Sequence, residues 1–290
     1  MKTATRGNGS TTTQVGQYLL RFPEPALDRD QDAEWFEVKI DGAWTRFRLH
    51  DYGPVFDIPG LYEAVVYDTL KCRSPQRVVD LLDAVLEDWT ESMPDLRILD
   101  LGAGNGIVAQ RLRTRDVSKI VGVDLIPEAR TAALRDRPNA YDDYLVGDLT
   151  RLPADRADQL RRYDLNCLVT VAALGFGDVP APAFATAFNL LREKGWIAIN
   201  IKENFLHPTT DDSGFARLIR LMVRERIIAI EAHHRYCHRL SMAGHQLFYV
   251  AMVARKLQHV PETLLHQAVE GADAPVPELV RNHLAAVFGT

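Results

Sequence analysis

The feature that most constrains the fold is a regular alternation of short apolar segments and amphipathic segments after Pro94. The apolar segments are Arg97–Leu101, Lys119–Val123, Tyr144–Gly147, Leu165–Val171 and Trp196–Ile201. Continuous apolar runs of this length are typical of parallel strands that are buried on both faces. The segments between them have helical periodicity: Ile107–Arg113, Pro127–Arg135, Ala154–Arg162 and Ala183–Arg192. This alternation predicts an α/β fold with a Rossmann-like, doubly wound, mostly parallel sheet.

Other patterns flank this core. Two alternating runs around Asp41-Gly42 predict a β-hairpin, and Ser74-Pro75 begins a predicted amphipathic helix that ends near Trp89. Two adjacent strand candidates, Ile227–His234 and Gln246–Arg255, predict an antiparallel pair at the sheet edge. We expect four regions: a disordered lead (1–15), a hairpin-plus-helix cap (16–93), a ligand-binding domain (94–256) and a helical tail (257–290).

Composition narrows the class of protein. Of the 290 residues 47% are hydrophobic, which provides a sizeable core and excludes a fully disordered chain. The net charge of −5 argues against a nucleic-acid partner, and no apolar run reaches the ~20 residues of a membrane span. Three cysteines, far apart, predict neither a disulfide framework nor a metal site. The residues before Gln14 lack the apolar segment of a secretory signal, so we expect a cytoplasmic protein.

The sharpest motif joins the first predicted strand to the first helix. Asp100 is followed by Gly102, Ala103, Gly104, Asn105 and Gly106. Glycines at such a turn let the backbone bend sharply and approach a ligand closely, and the helix start offers free N–H groups. This predicts a site for a polar or anionic ligand.

Two further acids follow strand candidates. Asp124 ends the second strand, where a carboxylate can accept both hydroxyls of a ribose, and Asp148 follows the third strand, where it can accept an adenine amine. Each residue also suits a helix N-cap, so neither is decisive alone. The three features at successive strand ends together predict a nucleoside-binding site.

On these motifs, extended by Leu125 and Leu149, the sequence resembles the class I S-adenosylmethionine-dependent methyltransferases, in particular bacterial small-molecule types. The resemblance implies S-adenosylmethionine as cofactor and a seven-stranded sheet. It places the glycine loop against the methionine part, Asp124 on the ribose and Asp148 on the adenine. Residues that line the cofactor near the sulfonium would be Val171, Ala172 and Ala173.

The acceptor side carries weaker signals. Tyr62 in the cap is a candidate because an aromatic ring beside a sulfonium is favourable by ~0.5–2 kcal/mol. Lys202 and Glu203, with Phe176 and His207, flank the expected methyl position. Each of these side chains also suits an ordinary core or solvated position. The group His233, His234 and His238 is better explained as exposed edge histidines than as metal ligands, since positions four apart on a strand are separated by ~13 Å.

These observations predict an enzyme that transfers a methyl group to a small molecule, a specialised metabolite or a glycan, at oxygen. Two alternatives stay open. The same site suits a non-methylating reaction of the cofactor, such as a cyclisation that releases methylthioadenosine. It also suits a nicotinamide-dependent oxidoreductase, although Ile107 occupies the position of the last glycine in G-x-G-x-x-G. The apolar positions of the tail leave a homodimer open.

Overall fold

The computed structural model describes residues 6–7, 10–23, 33–174, 178–203 and 214–270. Its larger sheet has seven strands: β6 (Arg97–Leu101), β7 (Lys119–Asp124), β8 (Asp143–Val146), β9 (Cys167–Thr170), β10 (Trp196–Lys202), β11 (Ile228–Leu240) and β12 (Gln246–Lys256). Their spatial order is β11–β12–β10–β9–β6–β7–β8. The last five strands in that order are parallel, whereas β12 pairs antiparallel with both β10 and β11. The predicted α/β sheet with an antiparallel final pair is therefore present.

Helices cover both faces of this sheet. They are α2 (Ser74–Asp88), α3 (Ile107–Arg113), α4 (Pro127–Asp136), α5 (Ala154–Arg161), α6 (Ala181–Leu190), α7 (Phe215–Arg224) and α8 (Glu262–Glu270). Successive strand residues point to opposite faces. Ile98 accordingly packs in one core cluster with α2 and α3, whereas Leu99 packs in another with α6 and α7. This double covering explains why the strands read as continuous apolar runs.

A second, antiparallel sheet precedes the larger one. It contains β1 (Arg6–Gly7), β2 (Ser10–Val15), β3 (Tyr18–Pro23), β4 (Trp35–Ile40) and β5 (Ala43–Arg48), in chain order. The β4–β5 pair is the predicted hairpin, and its turn residues Asp41 and Gly42 both have positive φ. Phe36 and Val38 are fully buried on one face of β4, as the alternation predicted.

The start of the chain differs from the expected disordered lead over 1–15. Ser10–Val15 forms β2 and pairs with β3 along its whole length. A run rich in Thr reads as a polar linker, but threonine is β-branched and suits a strand once a partner is available. Here that partner, β3, lies two residues further along the chain.

The cap continues with α1 (Tyr52–Asp57) and a π-helix (Glu63–Thr69) before α2. Its apolar side chains form their own core, which includes Leu20, Phe36 and Val65. A buried ion pair joins this cap to the larger sheet. Arg239 on β11 donates to Glu34 at 2.6 Å, and both side chains are at most 5% exposed. Breaking such a buried pair is costly, so the cap is firmly attached.

Beyond β12, α8 packs on α6 and α7 through Leu264 and Ala268. The rest of the predicted helical tail, residues 271–290, lies outside the described residues. None of the helices in the described ranges combines the length and apolar character needed to cross a bilayer.

Candidate functional site

A cavity of about 320 Å³ opens where β6, β7, β8 and β9 end, beneath the cap. Its walls are formed by Tyr52, Phe56, Tyr62, Leu101, Gly102, Gly104, Val123, Asp124, Leu125, Ile126, Gly147, Asp148, Leu149, Val171, Ala172, Ala173, Asp178, Val179, Pro180 and Ala183. The carboxyl edge of an open parallel sheet is the usual position for a ligand in this architecture. The volume falls within the ~300–1,000 Å³ typical of small-molecule sites.

The glycine loop between β6 and α3 forms one wall. Gly102, Gly104 and Gly106 all have positive φ, which L side chains rarely adopt. A Cβ at Gly102 would lie 2.7 Å from the Cβ of Ala173, which is too close for any side chain. Gly102 and Gly104 line the cavity, while Ala103 and Asn105 are buried behind it. The loop therefore presents backbone to the cavity.

Two tyrosines before and within β8 brace this loop from behind. Tyr144 donates to the carbonyl of Gly104 at 2.7 Å, and Tyr141 donates to the carbonyl of Ala103 at 3.0 Å. The Tyr141 hydroxyl also lies 2.8 Å from Oδ2 of Asp100. Asp100 is fully buried beneath the loop and does not line the cavity. Burial raises the pKa of Asp100 to about 7, and the Tyr141 hydrogen bond opposes that rise. Asp100 thus supports the loop rather than facing a ligand.

Asp124 stands where β7 ends. Its Oδ2 accepts from the amide of Gly104 at 2.8 Å, and its Oδ1 accepts from the amide of Ile126 at 3.1 Å. Burial raises the pKa of Asp124, while these backbone hydrogen bonds lower it. A carboxylate that lines a cavity and is held by two amides has fixed lone pairs for further donors, such as the hydroxyls of a ribose.

Asp148, directly after β8, lines the cavity and is itself exposed. Its Oδ1 accepts from both the amide and the hydroxyl of Thr150, at 2.8 and 2.7 Å. Both hydrogen bonds lower the pKa of Asp148, and the bond from the Thr150 hydroxyl has the larger effect. The residue therefore serves as the N-cap of the short 3₁₀ turn Leu149–Arg151. The carboxylate remains ionised and keeps Oδ2 for a ligand, so the cap role and a binding role are compatible.

Aromatic rings of the cap close the cavity from above. Phe56 and Tyr62 meet edge to face at 5.1 Å between ring centroids, and Tyr52 stacks on Phe56 at 5.9 Å. Burial raises the pKa of both Tyr52 and Tyr62, so both phenols are neutral. Sequence reasoning selected Tyr62 but passed over Tyr52 and Phe56, whose helix α1 carries no motif.

A cluster of polar side chains joins this cap to the glycine loop through hydrogen bonds. Oε1 of Glu63, next to Tyr62, accepts from the side-chain amide of Asn105 at 2.9 Å and from Arg137 at 2.7 Å. Arg137 also donates to the carbonyl of Asn105 at 3.0 Å. Asn105 thus holds the cap in place rather than contacting a ligand, which the sequence motif alone did not indicate.

The expected acceptor-side residues are scattered. Val171, Ala172 and Ala173 line the cavity where β9 ends, as the resemblance implies. Lys202 and Glu203 are not among the described residues that line it; Glu203, directly after β10, instead pairs with Arg235 of the edge strand β11 at 2.6 Å, across the intervening strand β12. Phe176 and His207 lie outside the described residues.

A smaller cavity of about 40 Å³ adjoins the first one, deeper under the cap. His238 lines it and is buried, which corrects the expectation that all three histidines of β11 are exposed; His233 and His234 are exposed as predicted. The cause is strand length, because β11 extends to Leu240 and carries His238 under the cap. In the described part of the chain, no group of three or more His, Cys, Asp or Glu could hold a metal ion.

Residues 99–199 match the family model described as a methyltransferase domain. The match runs from within β6 to within β10 and contains every strand-end motif described above. It confirms the resemblance to class I S-adenosylmethionine-dependent methyltransferases for this part of the chain. A comparison with curated proteins finds no significant match.

Solved structures with a similar backbone include three methyltransferases. An S-adenosylmethionine-dependent methyltransferase from Methanosarcina mazei has 14% identity and a TM-score of 0.42, covering 57% of this chain and 94% of its own. Magnesium protoporphyrin IX methyltransferase from Synechocystis PCC 6803, with bound S-adenosylmethionine, has 12% identity and a TM-score of 0.43, covering 63% of this chain and 79% of its own. The N-methyltransferase NodS from Bradyrhizobium japonicum, with S-adenosylhomocysteine, has 11% identity and a TM-score of 0.45, covering 67% of this chain and 92% of its own. Likenesses at this level carry no information on the acceptor of this chain.

S-adenosylmethionine is the cofactor of this class of domain, and the site fits it. The backbone cradle at Gly102 and Gly104 leaves no room for side chains, so a ligand can approach the amides closely. The two carboxylates, Asp124 and Asp148, line the same cavity and supply acceptors for hydroxyls and an amine. The neutral rings of Tyr52 and Tyr62 suit a sulfonium charge.

Proposed function

We propose that this protein transfers the methyl group of S-adenosylmethionine to a hydroxyl oxygen of a small molecule, a specialised metabolite or a glycan. The observation that carries the proposal is the cover over the site. Tyr52, Phe56 and Tyr62 of the cap lie over the strand ends, and a small second cavity adjoins the cofactor cavity. A narrow covered site favours the end of a small acceptor over a protein surface or a nucleic acid.

The residues of the chain would act mainly by alignment. Bound S-adenosylmethionine supplies an electrophilic methyl group. Asp124 and Asp148 hold the nucleoside, the glycine loop holds the amino-acid end, and Ala172 and Ala173 line the space beside the sulfonium. Positioning two reactants in line contributes up to ~7–11 kcal/mol in favourable cases. The aromatic side chains of the cap cover part of the site, and this shielding from water would protect the methyl group from hydrolysis.

The test uses S-adenosylmethionine with a labelled methyl group and a panel of small alcohols, phenols and amines. Label found on an oxygen of an acceptor, with one S-adenosylhomocysteine formed per methyl transferred, supports the proposal. Label on nitrogen or carbon contradicts the choice of acceptor atom. Release of methylthioadenosine from cofactor alone would support a cyclising reaction instead.

The alternative function, a nicotinamide-dependent oxidoreductase, would require the same cavity to bind NAD. The glycine loop lacks the final glycine of the dinucleotide pattern, where Ile107 stands at the start of α3. Titration with NAD and with S-adenosylhomocysteine distinguishes an oxidoreductase from a methyltransferase. We expect binding of the second ligand and none of the first at matched concentrations.

A further inference from the structure

The two cavities share part of their walls. Four residues line both: Tyr52, Tyr62, Ala172 and Asp178. Ala172 has a φ of +56°, an uncommon conformation for a residue with a side chain, and its amide donates to Oδ1 of Asn200 at 2.7 Å. Strain of this kind persists only where the surroundings hold it, and it often marks a functional position. The strand end at Ala172 is therefore a fixed partition between the two cavities.

Asp178 is the carboxylate on this partition. Among the described residues, no other acid lines both cavities. Its Oδ2 accepts from the hydroxyl of Tyr52 at 3.3 Å, which joins the end of the β9 loop to helix α1 across 126 positions of sequence. Asp178 is thus held in place from the cap side, at the point where a group in the small cavity would meet the cofactor cavity.

A buried hydrogen-bond network holds His238, which lines the small cavity. The side-chain amide of Asn200 donates to Ser74 at 3.0 Å and to Tyr236 at 2.8 Å. The Tyr236 and Ser74 hydroxyls are 2.6 Å apart, and Ser74 lies 2.5 Å from Nδ1 of His238. One assignment uses every hydroxyl hydrogen: Tyr236 donates to Ser74, and Ser74 donates to His238.

This assignment determines the form of His238. Burial, and then the charge of Arg239, lower the pKa of His238 well below its ordinary value, so the ring is neutral. Because Nδ1 accepts the bond from Ser74, the single ring hydrogen lies on Nε2. His238 is therefore a donor rather than a base. The small cavity is also lined by Tyr62, by Tyr249 and by one carboxylate residue, Asp178, as well as by Arg239, whose guanidinium pairs with Glu34.

We propose that the small cavity binds the reactive end of a neutral acceptor with neighbouring hydroxyl groups, and that Asp178 is the catalytic residue that takes the proton of the reacting hydroxyl. His238 donates to an adjacent oxygen and positions the acceptor. This inference rests on the proposed function and deepens it.

The reaction balances with these groups alone. The acceptor oxygen forms a bond to the methyl carbon, the bond from that carbon to sulfur breaks, and sulfur keeps the electron pair. The proton of the hydroxyl passes to the Asp178 carboxylate. An acceptor with a single hydroxyl would leave the His238 Nε2 donor unpaired, which costs binding energy. The arrangement therefore favours acceptors with at least two oxygens close together.

The test uses probes of stated chemistry on protein saturated with S-adenosylhomocysteine. Ligand-observed saturation-transfer NMR compares catechol and methyl β-D-glucopyranoside, which carry adjacent hydroxyls, with phenol, cyclohexanol and benzylamine. We expect saturation transfer to at least one of the first two and at least five-fold less to the other three. If neither adjacent-hydroxyl probe binds, or benzylamine binds best, the acceptor class is wrong.

Variants separate the roles of the residues. Asp178→Asn should bind S-adenosylhomocysteine within about three-fold of wild type in calorimetry, yet methylate the bound probe ~10²–10⁴-fold more slowly. His238→Phe should weaken probe binding, and His238→Gln, which keeps a donor near Nε2, should restore part of it. Asp143→Asn is the matched control. The Asp143 carboxylate accepts a hydrogen bond from the Tyr163 hydroxyl at 2.7 Å, and Asp143 lines neither cavity.

The outcomes are distinguishable from failure of the proposed function. Loss of S-adenosylhomocysteine binding by wild-type protein would contradict the methyltransferase itself. Intact cofactor binding with an Asp178→Asn methylation rate equal to wild type would overturn only the proton-acceptor role. Intact cofactor binding with equal probe binding by His238→Phe would overturn the positioning role.

Discussion

The backbone amide of Gly104 donates a hydrogen bond to Oδ2 of Asp124 across 2.8 Å. This bond joins the glycine loop after β6 to the end of β7, two features that lie apart in sequence. The amide of Ile126 holds the other oxygen. The carboxylate is therefore oriented before any ligand arrives, and less ordering has to occur on binding.

Asp148 should determine which base the site accepts. Its Oδ2 remains available for an exocyclic amine, whereas Oδ1 is held by Thr150. We expect wild-type protein to bind S-adenosylhomocysteine more tightly than S-inosylhomocysteine, which carries an oxygen in place of the amine. Asp148→Ala should narrow that difference. Competition calorimetry with both ligands measures it, and an unchanged ratio would contradict the assignment.

Gly102→Ala should unfold the loop locally and destabilise the protein. The new Cβ would lie 2.7 Å from that of Ala173, at a φ of +71°. The positive φ costs ~1–2 kcal/mol and the overpacking ~1–3 kcal/mol, so we expect a loss of about 2–5 kcal/mol in urea unfolding. Gly147→Ala is the control for stability, because its Cβ would meet nothing within 4 Å. Equal stability of the two variants would rule out the close approach.

Asp100 makes folding stability depend on pH. Its folded pKa of about 7 exceeds the ordinary value of 3.8, so between those values the folded state keeps a proton that the unfolded state has released. Stability should therefore fall as pH rises through this window, by up to ~4 kcal/mol from this group. Asp100→Asn does not titrate, and it should gain stability relative to wild type between pH 4 and 7.

Urea unfolding at pH 5 and pH 7.5 checks this expectation. Tyr141→Phe removes the hydrogen bond that opposes the rise in the Asp100 pKa. The fall in stability should then extend to higher pH. Parallel pH profiles for wild type and Asp100→Asn would show that the carboxyl group does not titrate in this window.

Tyr62 should favour the charged cofactor over its neutral product. A ring beside the sulfonium contributes ~0.5–2 kcal/mol, and S-adenosylhomocysteine lacks that charge. Tyr62→Leu should therefore weaken S-adenosylmethionine binding ~2–30-fold more than S-adenosylhomocysteine binding, while Tyr62→Phe should weaken both equally little. A Tyr62→Leu variant that weakens both ligands by the same factor would place the ring away from the sulfonium.

The sequence predicted the parts of the site that are local in the chain. The glycine loop, Asp124 and Asp148 each lie at the end of a strand that its apolar run predicts. Their convergence follows from the rule that parallel strands end at one edge. Asp100 shows the limit of this reasoning, since its place in the motif gave no sign that it lies beneath the loop, bound to Tyr141.

Contacts between distant segments were not predictable in this way. Ser74 and His238 are 164 positions apart, and Tyr52 and Asp178 are 126 apart. Neither pair has a local signature, because the first depends on how α2 packs on β11 and the second on how α1 packs on the loop after β9. Lys202 and Glu203 were selected for their position at a strand end, yet Glu203 pairs with Arg235 on β11, two strands away in the sheet.

The central claim is that Asp124 and the glycine loop together bind an adenosyl nucleoside, and calorimetry with S-adenosylhomocysteine tests it most directly. We expect wild-type protein to bind in the micromolar range or tighter. Asp124→Ala should bind ~5–150-fold more weakly, since two amides also lose their acceptor, and Asp143→Ala should match wild type. No binding by folded wild-type protein, or identical traces for wild type and Asp124→Ala, would contradict the claim.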